Sequence, residues 1–132
     1  MKTLIVEDEP TSRLLLQAIL SGYGDCDIAT DGEEAVEAFR SAFERGVPYD
    51  LVCMDIMMPK LDGHEALAKI RSIEKEGNVP AEGSCKVIMT TALGDPKNVV
   101  KALYGGGAGS YLVKPIGKQK LLEELHCMSL IE

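Results

Sequence analysis

Tryptophan is absent from this chain, and aromatic residues make up only 5% of it. Without them there is no stacking platform for bases or sugars. Positive charge is also scarce: 14 Lys and Arg stand against 21 Asp and Glu, a net charge of −7. A nucleic-acid binder needs a basic footprint, and an anionic membrane surface attracts one, so both partners are disfavoured. The four cysteines (Cys26, Cys53, Cys85 and Cys127) form no C-x-x-C pair and have no histidine at metal-ligand spacing. They read as reduced thiols that pack as small hydrophobes in a cytosolic protein. No apolar run approaches the roughly 20 residues of a membrane span. Met1-Lys2-Thr3 leads straight into apolar residues with no signal segment, so a cytoplasmic location is expected. Gly105, Gly106, Gly107 and Gly109 are not followed by G-K-[ST], which excludes a P-loop.

What remains is 132 residues, 45% hydrophobic and 27% charged. That is enough for one domain around one core, and no output domain is expected. The organising stretch is LVCMDIMMPKLDG, residues 51–63. Its four apolar residues have the pattern of a strand buried on both faces. Asp55 therefore sits where such a strand surfaces at its carboxyl end. In open α/β sheets that edge binds ligands.

The same pattern recurs along the chain. Leu4, Ile5 and Val6 form a strand that ends in Glu7-Asp8-Glu9, and Pro10 then suits the first turn of a helix. That helix is expected to turn Leu15, Ala18, Ile19 and Gly22 inward and to stop at Gly22 and Gly24. A second strand spans 27–30. Asp31 with Glu34 reads as an N-cap and its capping-box acid, ahead of Val36, Phe39 and Phe43 at helical spacing. After the third strand, a helix from about Gly63 carries Leu67 and Ile70 inward. Residues 74–84 read as the longest, solvent-facing loop. Val87, Ile88 and Met89 make the fourth strand, ending in Thr90-Thr91-Ala92. Asp95-Pro96 opens a fourth helix that carries Val99 and Leu103, and Gly105 to Gly107 break it. Tyr111, Leu112 and Val113 form the fifth strand, ending in Lys114-Pro115. A last helix puts Leu121, Leu125 and Met128 on one side. Five strands alternating with five helices predict an α/β fold, a doubly wound parallel sheet.

In a parallel sheet all the strand ends share one edge. Glu7, Asp8, Asp55, Thr91 and Lys114 are thereby gathered. Three carboxylates repel one another and are costly to assemble without a cation. Mg²⁺ suits them, because it takes oxygen ligands, few of them carboxylates, and keeps waters for a phosphate to replace. A hydroxyl and an ammonium suit the remaining phosphoryl oxygens. Asp55 is then placed as a nucleophile toward phosphorus.

Jointly these residues resemble the receiver domain of two-component response regulators, the stand-alone chemotaxis (CheY-like) type. The resemblance covers essentially the whole chain. It is carried by Glu7-Asp8, the D-x-x-M-P-x-x-D-G run from Asp55 to Gly63, Thr91-Ala92 and Lys114-Pro115. It implies a flavodoxin-like sheet of order 2-1-3-4-5 with the site at its switch point. It further implies that Asp55 is the phosphoacceptor and Thr91 the switch hydroxyl, with Lys114 pairing to Asp55 and then to the phosphoryl group. Mg²⁺ would be bound by Asp8, Asp55 and the backbone carbonyl of Met57, with Glu7 acting through water. Tyr111 would swing inward when Thr91 moves. Pro115 would follow a cis peptide bond, and Pro59 and Gly63 would shape the loop after strand three. A sensor histidine kinase is the implied donor. The implied output surface is the face made by the fourth helix, the fifth strand and the fifth helix, acting on a downstream protein. Gly105 to Gly107 are expected to make that face mobile. A receiver is a signalling module and not an enzyme, since it assists only its own modification.

Other readings weigh less. Asp55 as a helix cap loses to Asp62, which is better placed. Glu9 reads as a solvated acid favoured by a helix N-terminus. Asp62 and Asp95 read as caps, and His64 and His126 as exposed helix residues. An FMN-binding flavodoxin needs a phosphate-welcoming loop where Glu7-Asp8-Glu9 stands. An aspartyl-phosphate hydrolase wants an acid at position 57, where Met57 sits. A phosphorelay intermediate that passes phosphate to a histidine phosphotransfer protein remains open. A degenerate, phosphorylation-independent binding module does not match the complete residue set. Met57 and Leu93 are apolar where members of the family that lose phosphate quickly carry polar residues, so slow self-dephosphorylation is expected.

Overall fold

The computed structural model describes residues 1–58, 60–92 and 109–131. Its elements run β1 (Thr3–Val6), α1 (Pro10–Leu20), β2 (Cys26–Ala29), α2 (Gly32–Glu44), β3 (Leu51–Asp55), α3 (Gly63–Glu76), β4 (Lys86–Thr91), β5 (Ser110–Val113) and α4 (Lys118–Cys127). Single 3₁₀ turns follow α1 at Ser21–Tyr23 and precede β4 at Ala81–Gly83. The five strands form one parallel sheet of order β2-β1-β3-β4-β5. Four helices stand among the described residues. The helix expected after Asp95-Pro96 and the glycines that would break it lie outside them, as does Pro59.

β1 and β3 are buried along their whole length, because helices cover both faces of the sheet. On one face Leu4, Val6, Val52, Met54, Val87 and Met89 pack against Phe39 of α2 and Leu67 and Ile70 of α3. On the other, Ile5, Leu51, Cys53, Ile88 and Leu112 meet Leu16, Ile19 and Leu20 of α1 and Leu121 and Leu125 of α4. Alternation along each strand sorts its side chains between these two cores.

The helix starts follow their caps. Asp31 Oδ1 accepts from Glu34 N at 2.8 Å, and Asp62 Oδ1 accepts from Glu65 N at 2.9 Å. Glu34 reaches back to Thr30 N rather than to the cap residue itself. Glu9 caps α1, accepting from Thr11 N and Ser12 N at 3.0 and 2.7 Å. These backbone bonds pull its carboxyl down to about 2.

Three expectations change. In α1 the inward face is Leu16, Ile19 and Leu20, while Leu15 is 40% exposed and Ala18 is exposed. Three consecutive leucines offer three helical phases, and the path out of Pro10 selects the last. Residue 74 is not in the long loop, since α3 runs to Glu76 and Glu74 is buried. Its Oε2 accepts from Cys85 N at 2.7 Å and its Oε1 from Arg71 at 2.7 Å, while Arg71 also donates to Cys85 O at 2.8 Å. His64 is buried rather than exposed, because α3 begins hard against β3. His126 is exposed as expected.

Candidate functional site

The site is built where strands end. Register pairs Val6 with Met54 and Asp55 with Thr90, so Glu7, Asp55 and Thr90 lie side by side along the carboxyl edge. Asp55 closes β3 and is 6% exposed, and Glu7, one residue past β1, is fully buried. Asp8 points into solvent. One carboxylate oxygen from each of Glu7, Asp8 and Asp55 falls within 4.8 Å of the others.

Lys114 reaches this group from one residue past β5. Its ammonium donates to Asp55 Oδ2 at 3.2 Å and lies 3.0 and 2.9 Å from the two Glu7 oxygens. The Lys114–Pro115 peptide bond is cis, as the resemblance implies. Lys114 N donates to Thr91 O at 2.8 Å, continuing the ladder past the end of the strands.

The electrostatics follow from this crowding. Burial pushes the Glu7 carboxyl up to about 7; the Lys114 hydrogen bond opposes that rise, and the neighbouring Asp55 charge adds to it. Burial by itself would lower Lys114, but the Glu7 and Asp55 carboxylates prevail and hold it above its ordinary value. Three carboxylates against one ammonium leave negative charge in excess. The donors are all hard oxygens, without thiolate or imidazole, and this chemistry fits a small divalent cation such as Mg²⁺.

The loop after β3 is fixed by a close approach. Gly63 N donates to Ile56 O at 2.9 Å. A Cβ on Gly63 would lie 2.6 Å from the Asp55 carbonyl oxygen and 2.8 Å from Ile56 Cα. Only glycine lets the start of α3 come this near to the aspartate. Met57 N donates to Asp55 Oδ1 at 3.2 Å, which turns the chain, and the Met57 side chain is 65% exposed.

Thr91 ends β4 with its side chain buried and its hydroxyl donating to Ala92 O at 3.3 Å. Tyr111 is 38% exposed and stands outward. The structure thus brings Glu7, Asp8, Asp55 and Lys114 together, with Thr91 on the adjoining strand end and Tyr111 outside. Leu93 lies outside the described residues. Sequence reasoning paired Lys114 with Asp55 and missed its two contacts to Glu7. The strand order carried that signal, because a side chain from β5 that reaches β3 also approaches β1.

The chain matches the family model described as the response regulator receiver domain over residues 3–126. It is 40% identical to the chemotaxis protein CheY of Treponema pallidum, covering 94% of this chain and 79% of that protein. It is 32% identical to the CheY of Thermotoga maritima, covering 97% of each. Among solved structures, the CheX-CheY-BeF3-Mg+2 complex from Borrelia burgdorferi superposes with a TM-score of 0.81 at 31% identity, covering 100% of this chain and 90% of that one. No described helix is long and apolar enough to cross a membrane. With the acidic pocket at the carboxyl edge of a 2-1-3-4-5 sheet, the chain belongs to the response regulator receiver domains of two-component signalling, which are signalling modules and not enzymes.

Proposed function

We propose that this protein is a phosphoacceptor response regulator in which Asp55 takes a phosphoryl group from a phosphohistidine of a sensor histidine kinase. The observation that carries this reading is the Lys114 ammonium held between Glu7 and Asp55 beside the exposed Asp8. An oxygen of Asp55 attacks phosphorus in line, and the P–N bond to the donor imidazole breaks. The electron pair stays on the ring nitrogen, and the product is an acyl phosphate on Asp55. Asp8, Asp55 and the Met57 carbonyl, with Glu7 through water, would hold Mg²⁺, which supplies neutralisation of the developing phosphoryl charge.

Lys114 keeps its bond to Asp55 before transfer and turns to a phosphoryl oxygen after it. The Thr91 hydroxyl, now on Ala92 O, turns to another, and Tyr111 moves into the space that Thr91 leaves. Output passes through β5, α4 and the segment between β4 and β5 to a partner protein. The 132 residues act as one receiver unit, in the cytoplasm, where such a donor kinase presents its phosphohistidine.

The test is intact mass after incubation with Mg²⁺ and acetyl phosphate, beside Asp55→Asn. A single base-labile phosphoryl adduct on the parent alone is expected. An adduct of equal yield on Asp55→Asn would overturn the assignment.

A further inference from the structure

The geometry points to Thr90 as a positioning residue for Lys114. We infer that its buried hydroxyl is a standby acceptor, which the ammonium takes up when a cation claims the Glu7 carboxylate. The inference rests on reading the acidic cluster as a cation site.

Thr90 stands two residues after Ile88 in β4, and Ile88 packs in the core beneath α1 and α4 with Ile5, Cys53 and Leu112. Alternation puts Thr90 on that same face and Thr91 on the other, with Val87 and Met89. Register sets Thr90 between Asp55 on β3 and Leu112 on β5. Lys114 stands two residues beyond Leu112, yet its ammonium lies on Asp55 of β3 and Glu7 of β1. Its stem must therefore cross β4, and on that face the β4 side chain beneath it is Thr90.

Thr90 is 1% exposed, and its Oγ1 makes no hydrogen bond among the described residues. Valine has the same shape and would fill this position without burying an unpaired hydroxyl. The hydroxyl is left available to another arrangement of the site. Lys114 sits on both Glu7 oxygens, so a cation that draws on Glu7 competes with it. An ammonium displaced from Glu7 retreats along its own stem, back over β4. By register and alternation, Thr90 Oγ1 is the polar side-chain atom that β4 offers along that path among the described residues.

The experiment measures Mg²⁺ affinity by calorimetry, together with the metal-free melting midpoint, for the parent, Thr90→Val and Thr90→Ser, each with Lys114 and with Lys114→Met. With Lys114 present, Thr90→Val should weaken Mg²⁺ binding by about threefold or more, the size expected of coupled neighbours. Thr90→Ser, which keeps the hydroxyl, should restore it. In the Lys114→Met background the Thr90→Val effect should vanish. Without metal, Thr90→Val should melt at or above the parent. Unchanged affinity in Thr90→Val, an equal loss in both backgrounds, or a lowered metal-free midpoint would each overturn the role. A parent that binds no Mg²⁺ would overturn the cation-site reading itself and this role with it.

Discussion

Glu7 and Glu74 are both buried glutamates, one at each end of the sheet, and they keep different company. Glu74 closes α3 onto the start of β4. Each of its oxygens has its own donor, Cys85 N for one and Arg71 for the other, and Arg71 returns to Cys85 O. Charge and hydrogen bonds balance locally, so this carboxylate fastens two elements together. Glu7 shares a single ammonium with Asp55 and stands within reach of Asp8 as well. Burial and the Asp55 charge push its carboxyl up to about 7, against the pull of Lys114. One end of the molecule spends a buried acid on holding the fold. The other gathers acids that only an added positive charge can satisfy.

Substitutions that remove one acid at a time break this comparison. Glu74→Ala should have the largest effect on the fold, because it leaves the buried Cys85 N–H without its acceptor and Arg71 without its carboxylate. We expect a loss of about 2 kcal/mol in urea unfolding, the cost of leaving a buried N–H without its acceptor. Mg²⁺ affinity should stay at the parent's value. Glu7→Gln should do the reverse. Relief of like-charge crowding leaves the metal-free midpoint unchanged or higher, while Mg²⁺ affinity falls by about tenfold, as for other residues that orient a metal's ligands. If both variants lost stability alike, the two ends would not differ in kind.

A smaller effect concerns the lifetime of the acyl phosphate. Met57 stands exposed beside Asp55, and Leu93 is its expected apolar companion. Both would shield the phosphoryl group from water. Met57→Asn with Leu93→Glu should shorten the half-life of the phosphorylated protein several-fold, followed by loss of the mass adduct. An unaltered decay would remove the shielding argument.

The smallest expected effect sharpens the structural end. Tyr49 donates to Asp27 Oδ2 at 2.7 Å, and burial, followed by that bond and the Asp27 charge, pushes its hydroxyl well above the ordinary tyrosine range. Above the unfolded value the folded chain holds a proton that the unfolded chain has released. Stability therefore falls as pH rises beyond about 10. Tyr49→Phe should flatten that alkaline decline while leaving the urea midpoint little changed near neutrality. A parallel decline in both proteins would argue against the Tyr49 contribution.

Much of this was legible in the sequence, for physical reasons. Short apolar runs bounded by turn residues and ending in a charge or hydroxyl have the pattern of buried strands that surface at one edge, so Glu7, Asp8, Asp55, Thr91 and Lys114 could be collected from the sequence alone. The caps at Asp31 and Asp62 follow from local chemistry alone. What escaped depends on tertiary contacts. Three adjacent leucines give no phase for α1. Glu74 looks like loop polarity until Cys85, eleven residues on, supplies its donor. His64 reads as a surface histidine until Gly63 brings α3 down onto β3. Lys114 to Glu7 is a contact from β5 to β1 across the two strands between them, visible only once the sheet order is known.

The most direct test of the contrast between the two ends is a Mg²⁺ titration of uniformly ¹⁵N-labelled protein followed by amide spectra. The account predicts saturable shifts centred on Glu7, Asp8, Asp55, Met57 and Lys114, lost in Asp55→Asn, with the amides around Glu74 and Cys85 unmoved. Shifts centred on Glu74, or shifts at the carboxyl edge that persist undiminished in Asp55→Asn, would contradict it.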